Sequence, residues 1–257
     1  MTYRFPLWCL FAAITLSACS GDKAVQRSEP GSKERIARTN TELGMGYLQQ
    51  GERKLAIEKL QRAIEADSDY APAQHGIAIA YQEFGQLELA EKHYRQALKL
   101  LPLDGALHNN FGAFLCGQKK YAEGDEQFRA ALRDPTYATP QTALENAGLC
   151  ALDVPDNEKA EQYLRQALKV DANLKGALLG MARLQFARQQ YLGTRAYLQR
   201  YEALAQLPPQ GLFLAIQIER KLGDFDAAKR YTTQLNTHFP DSIEAQQVRE
   251  LEAGLRK

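Results

Sequence analysis

The sequence is poor in valine and has almost no net charge. It contains only 4 valines against 37 alanines, and this ratio favours helix over strand because β-branched residues prefer strands and alanine prefers helices. Its 32 Lys and Arg residues nearly cancel its 31 Asp and Glu residues, which argues against a nucleic-acid-binding protein, since such a protein needs a net basic face. With 45% hydrophobic and 25% charged residues, the composition predicts an ordered, all-helical protein.

The sequence also lacks the motifs of common enzymes and metal sites. No HExxH, CxxC or Gly-x-Ser-x-Gly motif is present. The four histidines are isolated from one another, and we interpret each as a surface or groove residue rather than a metal ligand. They are His75, His93, His108 and His238. We therefore predict a binding protein that needs no metal or other cofactor, not an enzyme.

The apolar run at the N-terminus is too short to cross a membrane. It covers residues 5–16, whereas a spanning helix needs roughly 20 residues. Arg4 places a positive charge before this run, and the small residues Ser17 and Ala18 follow it. This order is typical of a secretory signal, so we predict a signal peptide over residues 1–18.

The signal segment ends in Leu16-Ser17-Ala18-Cys19, which resembles the lipobox of bacterial lipoproteins. The resemblance implies cleavage before Cys19 and a covalent diacylglycerol on its thiol; an ordinary secretory signal with a chance cysteine is the alternative. In many Gram-negative lipoproteins an Asp after this cysteine retains the protein in the inner membrane, but here the residue is Ser20. The resemblance therefore implies that lipoprotein sorting machinery delivers the chain to the periplasmic face of the outer membrane.

The rest of the chain repeats with a period of 34 residues. Two series of small residues recur at intervals of 34, 34 and 36 residues: Ala56, Ala90, Gly124 and Ala160, then Ala63, Ala97, Ala131 and Ala167. The pattern resembles the tetratricopeptide repeat, a helix–turn–helix unit in which small residues let the two helices approach closely. We predict an all-α, right-handed superhelical solenoid of about six such repeats.

The predicted division of the chain follows from this period. Residues 19–36 are polar, contain Gly and Pro and show no helical period, which predicts an acylated flexible tether. The repeats occupy residues 37–242. Residues 243–257 are expected to form a capping helix, because the open end of a solenoid needs a polar cover. The six predicted repeats are 37–70, 71–104, 105–140, 141–174, 175–208 and 209–242.

Two cysteines beyond the signal segment share the period. Cys116 and Cys150 lie 34 residues apart and therefore occupy neighbouring levels of the first helices in repeats three and four. Neighbouring helix axes are about 8–10 Å apart, which brings two facing cysteines near the separation that a disulfide requires. Two buried free thiols are equally compatible with the spacing alone.

Three segments around these cysteines go beyond the generic repeat pattern. They are His108–Cys116, Asp134–Tyr137 and Glu145–Cys150, with the sequences HNNFGAFLC, DPTY and ENAGLC. In these segments the chain resembles the pilotin lipoproteins of type IV pilus biogenesis, the PilF/PilW family, which has six such repeats behind a lipobox. Repeats five and six match the family pattern too weakly for its functional residues to be assigned to them. In repeat four, residues 153–156 replace the typical turn between the two helices. Some relatives carry both cysteines, so the resemblance implies a Cys116–Cys150 disulfide.

The resemblance implies a function in binding only. The partner would be the secretin, the outer-membrane channel of the type IV pilus, which such a protein delivers to the outer membrane and helps to multimerise. The alternatives are an accessory lipoprotein of outer-membrane barrel assembly, a scaffold for cell-wall hydrolases, and an enzyme with an unrecognised site, which no residue supports.

The partner groove is expected on the concave face, which the first helices build in tetratricopeptide proteins. Met45, Leu48 and Ile79 either form an apolar stripe for a partner helix or strand or pack between repeats. Asn109 or Asn110 either clamps a partner backbone or ties helices together. The candidate groove residues in the first three repeats are Arg38, Met45, Leu48, His75, Ile79, Gln82 and Asn109.

Overall fold

The computed structural model describes residues 31–154 and 156–254, and within these ranges the chain forms thirteen α-helices and no strand. The all-α prediction is confirmed, and none of these helices is both long and apolar enough to cross a membrane. The predicted signal peptide, Cys19 and residues 20–30 lie outside the described residues. The helices are α1 Ser32–Gln49, α2 Arg53–Ala66, α3 Ala71–Glu83, α4 Leu87–Leu100, α5 Gly105–Gly117, α6 Tyr121–Ala131, α7 Pro140–Leu152, α8 Asn157–Val170, α9 Lys175–Ala187, α10 Tyr191–Glu202, α11 Pro209–Leu222, α12 Phe225–His238 and α13 Ile243–Gly254.

Helix α1 begins earlier than the sequence predicts. It starts at Ser32, so residues 32–36 belong to the first helix and not to the tether. Gly31 precedes it with a φ of 104°, a backbone conformation that glycine adopts readily. Glu34 and Arg38 form an i,i+4 ion pair with an N···O distance of 2.8 Å, which supports the first turns. These turns are largely exposed, so no apolar period marks them in the sequence.

The helices pair within each repeat, α1 with α2 and so on to α11 with α12, and the two series of small residues lie buried at the crossings. A Cβ atom on Gly44 would lie 2.6 Å from Leu60 Cγ, and one on Gly148 would lie 2.6 Å from Leu164 Cγ. An added methyl group would therefore push the second helix away. The predicted small residues at helix crossings are confirmed.

Neighbouring repeats stack through the second helix of one and the first helix of the next, as in α2 with α3 and α6 with α7. First helices also contact one another directly: α1 with α3, α5 with α7, and α7 with α9. The first helices therefore line the inside of the curve, and the second helices lie on its outside. Helix α13 packs on α11 and α12 at the end of the stack. The solenoid prediction is confirmed.

The turns within repeats one, two, three, five and six each contain a residue in the left-handed conformation. Gly51, Gly85 and Gly223 have φ angles of 78°, 76° and 79°, as is common for glycine after a helix. At the equivalent turns of repeats three and five, Lys119 (φ 60°) and Gln189 (φ 58°) adopt the same conformation without glycine. In both turns the backbone N–H of the next residue donates to a carbonyl oxygen of the preceding helix, Lys120 to Leu115 and Gln190 to Gln185, and these hydrogen bonds stabilise the left-handed conformation.

Aromatic side chains fill the junction between repeats two and three. The ring of Tyr94 lies 5.3 Å from that of Phe111 and 5.3 Å from that of Phe114, measured between centroids. All three side chains are buried. The guanidinium carbon of Arg95 lies 5.3 Å from the Phe111 ring centroid, within the range of a cation–π contact. This cluster joins α4 to α5 and supports the inner face at the third repeat.

Candidate functional site

One side chain per repeat lies along the inner face at the same helix position. Met45, Ile79, Ala113 and Leu149 occupy it in repeats one to four, at intervals of 34, 34 and 36 residues. Ala113 is exposed, and the other three are half-buried. These four residues form an apolar row, the groove row, and the exposed Arg183 follows them in repeat five. Such a row gives a partner helix or strand an apolar track.

The predicted groove residues divide between surface and interior. Arg38 and Gln82 are exposed, and Gln82 accepts a hydrogen bond from the hydroxyl of the buried Tyr94 at 2.9 Å. Leu48 is only 8% exposed and belongs to the core of the first repeats, so it packs between helices and does not line the groove. The reason is its register: Leu48 lies four residues after Gly44, on the stripe of α1 that faces the neighbouring helices.

A ladder of polar side chains joins α3, α5 and α7. Asn110 Nδ2 donates to His75 Nε2 at 3.0 Å, and Asn146 Nδ2 donates to Asn109 Oδ1 at 3.0 Å. Asn109 Nδ2 also lies 3.4 Å from Asn110 Oδ1, which connects the two pairs. These four residues, the asparagine ladder, tie together the first helices of three successive repeats.

The buried position of Asn109 corrects its assignment to the groove. Its side chain is 5% exposed, and Asn146 already occupies its carbonyl oxygen. A residue that clamps a partner backbone must present free polar atoms to solvent, so Asn109 ties helices together instead. His75 is half-buried, its Nε2 atom is engaged by Asn110, and it belongs to the same ladder.

A disulfide between Cys116 and Cys150 links α5 to α7, with the two Cα atoms 5.9 Å apart. It connects the same pair of helices as the hydrogen bond between Asn109 and Asn146. Gly124 on α6 provides the space, because a Cβ atom there would lie 2.6 Å from Cys116 Sγ. The equivalent position is alanine in repeats one, two and four. Glycine in the third repeat is thus explained by the sulfur that packs against it.

Glu145 continues these connections into repeat five. Its carboxylate accepts a hydrogen bond from the backbone N–H of Ala177 at 2.7 Å, in the first turn of α9. Burial raises the pKa of Glu145, while the backbone donors of Ala177 and Gly176 act in the opposite direction. The carboxylate also leaves no room for a Cβ atom on Gly176. The inner face is therefore cross-linked from α3 to α9.

His75 makes the asparagine ladder sensitive to acid. Burial lowers the pKa of His75 below its ordinary value of 6.5, although the Asp104 charge acts in the opposite direction. As the pH falls through about 6.5, the unfolded chain takes up a proton at His75, whereas the folded chain does so only at lower pH. The unfolded state then binds more protons, so stability present above about pH 6.5 is lost on acidification.

We expect His75→Gln to lose less stability than the wild type between about pH 7.5 and about pH 5.5. Glutamine keeps an acceptor for Asn110 but does not titrate. Part of the acid sensitivity should remain, because burial also lowers the pKa of His93. Thermal denaturation at several pH values measures the effect, and His238→Gln, at an exposed residue, is the control. Equal acid losses in wild type and His75→Gln would contradict the prediction.

Sequence reasoning misses several residues of the inner face, among them Ala113 and Asn146. Ala113 is not recognised from the sequence because an alanine alone gives no functional signal. Asn146 is not recognised because its hydrogen-bond partner in the ladder, Asn109, lies 37 residues away in the sequence. Repeat register is the signal that finds Ala113, which lies 34 residues after Ile79. The pairing of Asn146 with Asn109 requires the three-dimensional structure.

Comparison with known proteins matches the chain to tetratricopeptide-repeat models and to a type IV pilus assembly protein. Residues 35–102 and residues 142–174 match family models of the tetratricopeptide repeat. Over 252 residues the chain is 32% identical to the type IV pilus assembly protein PilF of Pseudomonas aeruginosa, covering 96% of this chain and 98% of that protein.

Two solved structures are similar over most of the chain. The crystal structure of PilW, a widely conserved type IV pilus biogenesis factor, superimposes with a TM-score of 0.78 at 31% identity and covers 83% of this chain and 98% of PilW. The structure of Pseudomonas aeruginosa PilF gives a TM-score of 0.77 at 29% identity and covers 85% of this chain and 98% of that one.

Proposed function

Because this chain belongs to the PilF/PilW family of type IV pilus assembly proteins, we propose that it is a pilotin: an outer-membrane lipoprotein that binds the secretin and promotes its localisation and multimerisation. Its part in type IV pilus biogenesis follows from family membership. The finer role draws on two features of this chain, the inner groove and the lipobox cysteine. The chemistry is binding, without a catalytic step.

The groove row is the observation that carries the proposal. Its apolar side chains lie on the inner face, where a partner segment contacts several repeats at once. The asparagine ladder and the disulfide hold the helices behind this row in fixed positions. A track that is ordered before binding loses little conformational entropy when the partner docks. The first four repeats therefore suit an extended or helical segment of the secretin monomer.

The proposed membrane attachment is acylation of Cys19, which lies outside the described residues. Each methylene group buried in the bilayer contributes about 0.8 kcal/mol, so two or three acyl chains on one residue anchor the protein stably. The sorting machinery for lipoproteins would then carry anchor, solenoid and bound secretin together to the outer membrane.

The test is the amount of heat-resistant secretin multimer in outer membranes of a deletion strain. We expect the deletion to remove the multimer and leave monomer in the inner membrane. The wild-type gene should restore it, whereas Cys19→Ala should not, because the protein no longer reaches the outer membrane. An unchanged amount of multimer in the deletion strain would contradict the proposal and favour a role in barrel assembly or cell-wall scaffolding.

A matched pair of variants tests the groove itself. Ala113→Glu places a charge in the middle of the groove row at an exposed helical position, so it should block secretin binding without unfolding the chain. Ala196→Glu makes the same change at an exposed position of α10, on the outside of the solenoid, and should restore the multimer fully. Both variants should melt at the wild-type temperature. Full complementation by Ala113→Glu would contradict binding along the groove row.

A further inference from the structure

The chain enters the solenoid at one particular edge. Gly31 precedes α1, and the first and second helices of each repeat run antiparallel. Every loop that leads from a second helix to the next first helix therefore lies at the same edge as Gly31. Together with Gly31, these loops form the anchor edge, and the turns within the repeats form the opposite edge. The loops are residues 67–70, 101–104, 132–139, 171–174 and 203–208.

Three consecutive apolar residues protrude from the anchor edge between α4 and α5. Leu103 is 81% exposed, Leu101 is 41% exposed, and Pro102 between them is exposed as well. Their backbone is held by the start of α5, since His108 Nε2 lies 3.0 Å from the Pro102 carbonyl oxygen and Asp104 caps this helix. These three residues, the apolar knuckle, form a fixed projection that stays in solvent unless a surface outside the solenoid covers it.

The surroundings of the apolar knuckle suit a phospholipid surface. A cavity of about 910 Å³ lies between the knuckle and the long loop before α7. Arg133 lines this cavity together with Asp104 and Asp134, whose carboxylates accept hydrogen bonds from backbone N–H groups. Exposed apolar side chains beside a basic one match the acyl chains and anionic phosphates of a bilayer leaflet. The high exposure of Leu103 means that this side chain projects outward, which favours insertion into lipid over capture of a peptide side chain.

The length of chain before α1 brings the anchor edge to the membrane. Residues 20–30 separate Cys19 from Gly31, and a segment of this length spans at most about 40 Å. A first helix of 13 residues is about 20 Å long, so the opposite edge lies farther from the anchor by that distance. Attachment at Gly31 therefore keeps the anchor edge, with its apolar knuckle, on average nearer to the lipid than the opposite edge.

We propose that the apolar knuckle inserts into the phospholipid leaflet that carries the acyl anchor, as a second membrane contact. The inference rests on the proposed anchor at Cys19. Two contacts on one edge hold the solenoid along the membrane surface, so the inner groove opens sideways and not towards the bilayer. A secretin segment bound in the groove is then kept at a constant height above the membrane.

Tryptophan fluorescence tests this contact. Trp8 is the only tryptophan of the chain and lies in the predicted signal peptide, so the processed protein carries none. Leu103→Trp places a single reporter on the apolar knuckle. Leu192→Trp places one on the opposite edge, at a residue that is 68% exposed. Each acylated protein is reconstituted into phosphatidylethanolamine and phosphatidylglycerol vesicles, with and without bromine on the acyl chains.

We expect brominated lipid to quench most of the fluorescence of Leu103→Trp, with a blue-shifted emission, and to leave Leu192→Trp unquenched. Unchanged melting temperatures show that both variants are folded. The proposal is overturned if neither reporter is quenched, or if both are quenched equally. A blue shift of Leu103→Trp only after secretin is added would also overturn it and assign the knuckle to protein docking.

Flotation of the wild-type protein with vesicles separates this proposal from the anchor. A protein that floats but shows no quenching at residue 103 keeps its acyl anchor and lacks the knuckle contact. A protein that does not float lacks the anchor, and this result contradicts the proposed knuckle contact as well. Secretin multimer in cells reports on the pilotin role independently of both results.

Discussion

Replacing Phe111 by alanine is expected to lower the free energy of unfolding by about 3–5 kcal/mol, the usual loss when a large aromatic side chain leaves a packed core. Phe111 is 1% exposed, and its ring lies 5.3 Å from Tyr94 and 6.1 Å from Phe114. Arg95 also loses the ring over which its guanidinium lies. Because this cluster joins repeats two and three, its loss should also weaken the coupling between the two parts of the solenoid.

Urea unfolding followed by circular dichroism measures both effects. Uncoupling should appear as a broader or two-step transition in Phe111→Ala. Phe225→Ala removes the same side chain from a position that is 70% exposed, and its free energy of unfolding should change by less than about 0.5 kcal/mol. A similar small change in Phe111→Ala, with a sharp single transition, would mean that the junction repacks without this ring.

Breaking the Cys116–Cys150 disulfide is expected to lower the free energy of unfolding by about 3–4 kcal/mol. The two cysteines are 34 residues apart in sequence, and closing a loop of that length removes much conformational entropy from the unfolded chain. The native helices should change little, because the hydrogen bond between Asn109 and Asn146 still joins α5 to α7. The effect therefore lies mainly in the unfolded state.

Urea unfolding of the wild type with and without reductant measures this contribution. The double variant Cys116→Ala, Cys150→Ala is the matched control: it should resemble the reduced wild type and should not respond to reductant. Thiol titration of the unfolded, non-reduced wild type should find neither cysteine free. Coincident wild-type curves with and without reductant, together with two titratable thiols, would contradict the disulfide.

The sequence determined the helical class, the repeat and the helix crossings. Each repeat contacts mainly its neighbours, so the small residues that let helices cross recur at the spacing of the repeat itself. Their spacing alone therefore locates buried positions such as Ala63 and Ala131. The three segments around Cys116 and Cys150 also mark the level at which the disulfide and the asparagine ladder lie.

The sequence could not determine which inward-facing residues a partner can reach. Met45 and Leu48 lie three residues apart on α1, yet Met45 is half-buried on the inner face and Leu48 is buried between helices. Three residues rotate a side chain by about 60° from its neighbour's direction, so both fit the same apolar stripe in the sequence. The left-handed turn at Lys119 is equally hidden, because no glycine marks it.

Tertiary structure decided these cases because they depend on several repeats together. The contact between Asn109 and Asn146 repeats, one level further along the solenoid, the contact between His75 and Asn110, although two extra residues precede α7. The spacing of residues within one repeat predicts that a side chain points inward. The crossing angle and the side-chain sizes of the next repeat decide whether it meets a neighbouring helix or remains open to a partner.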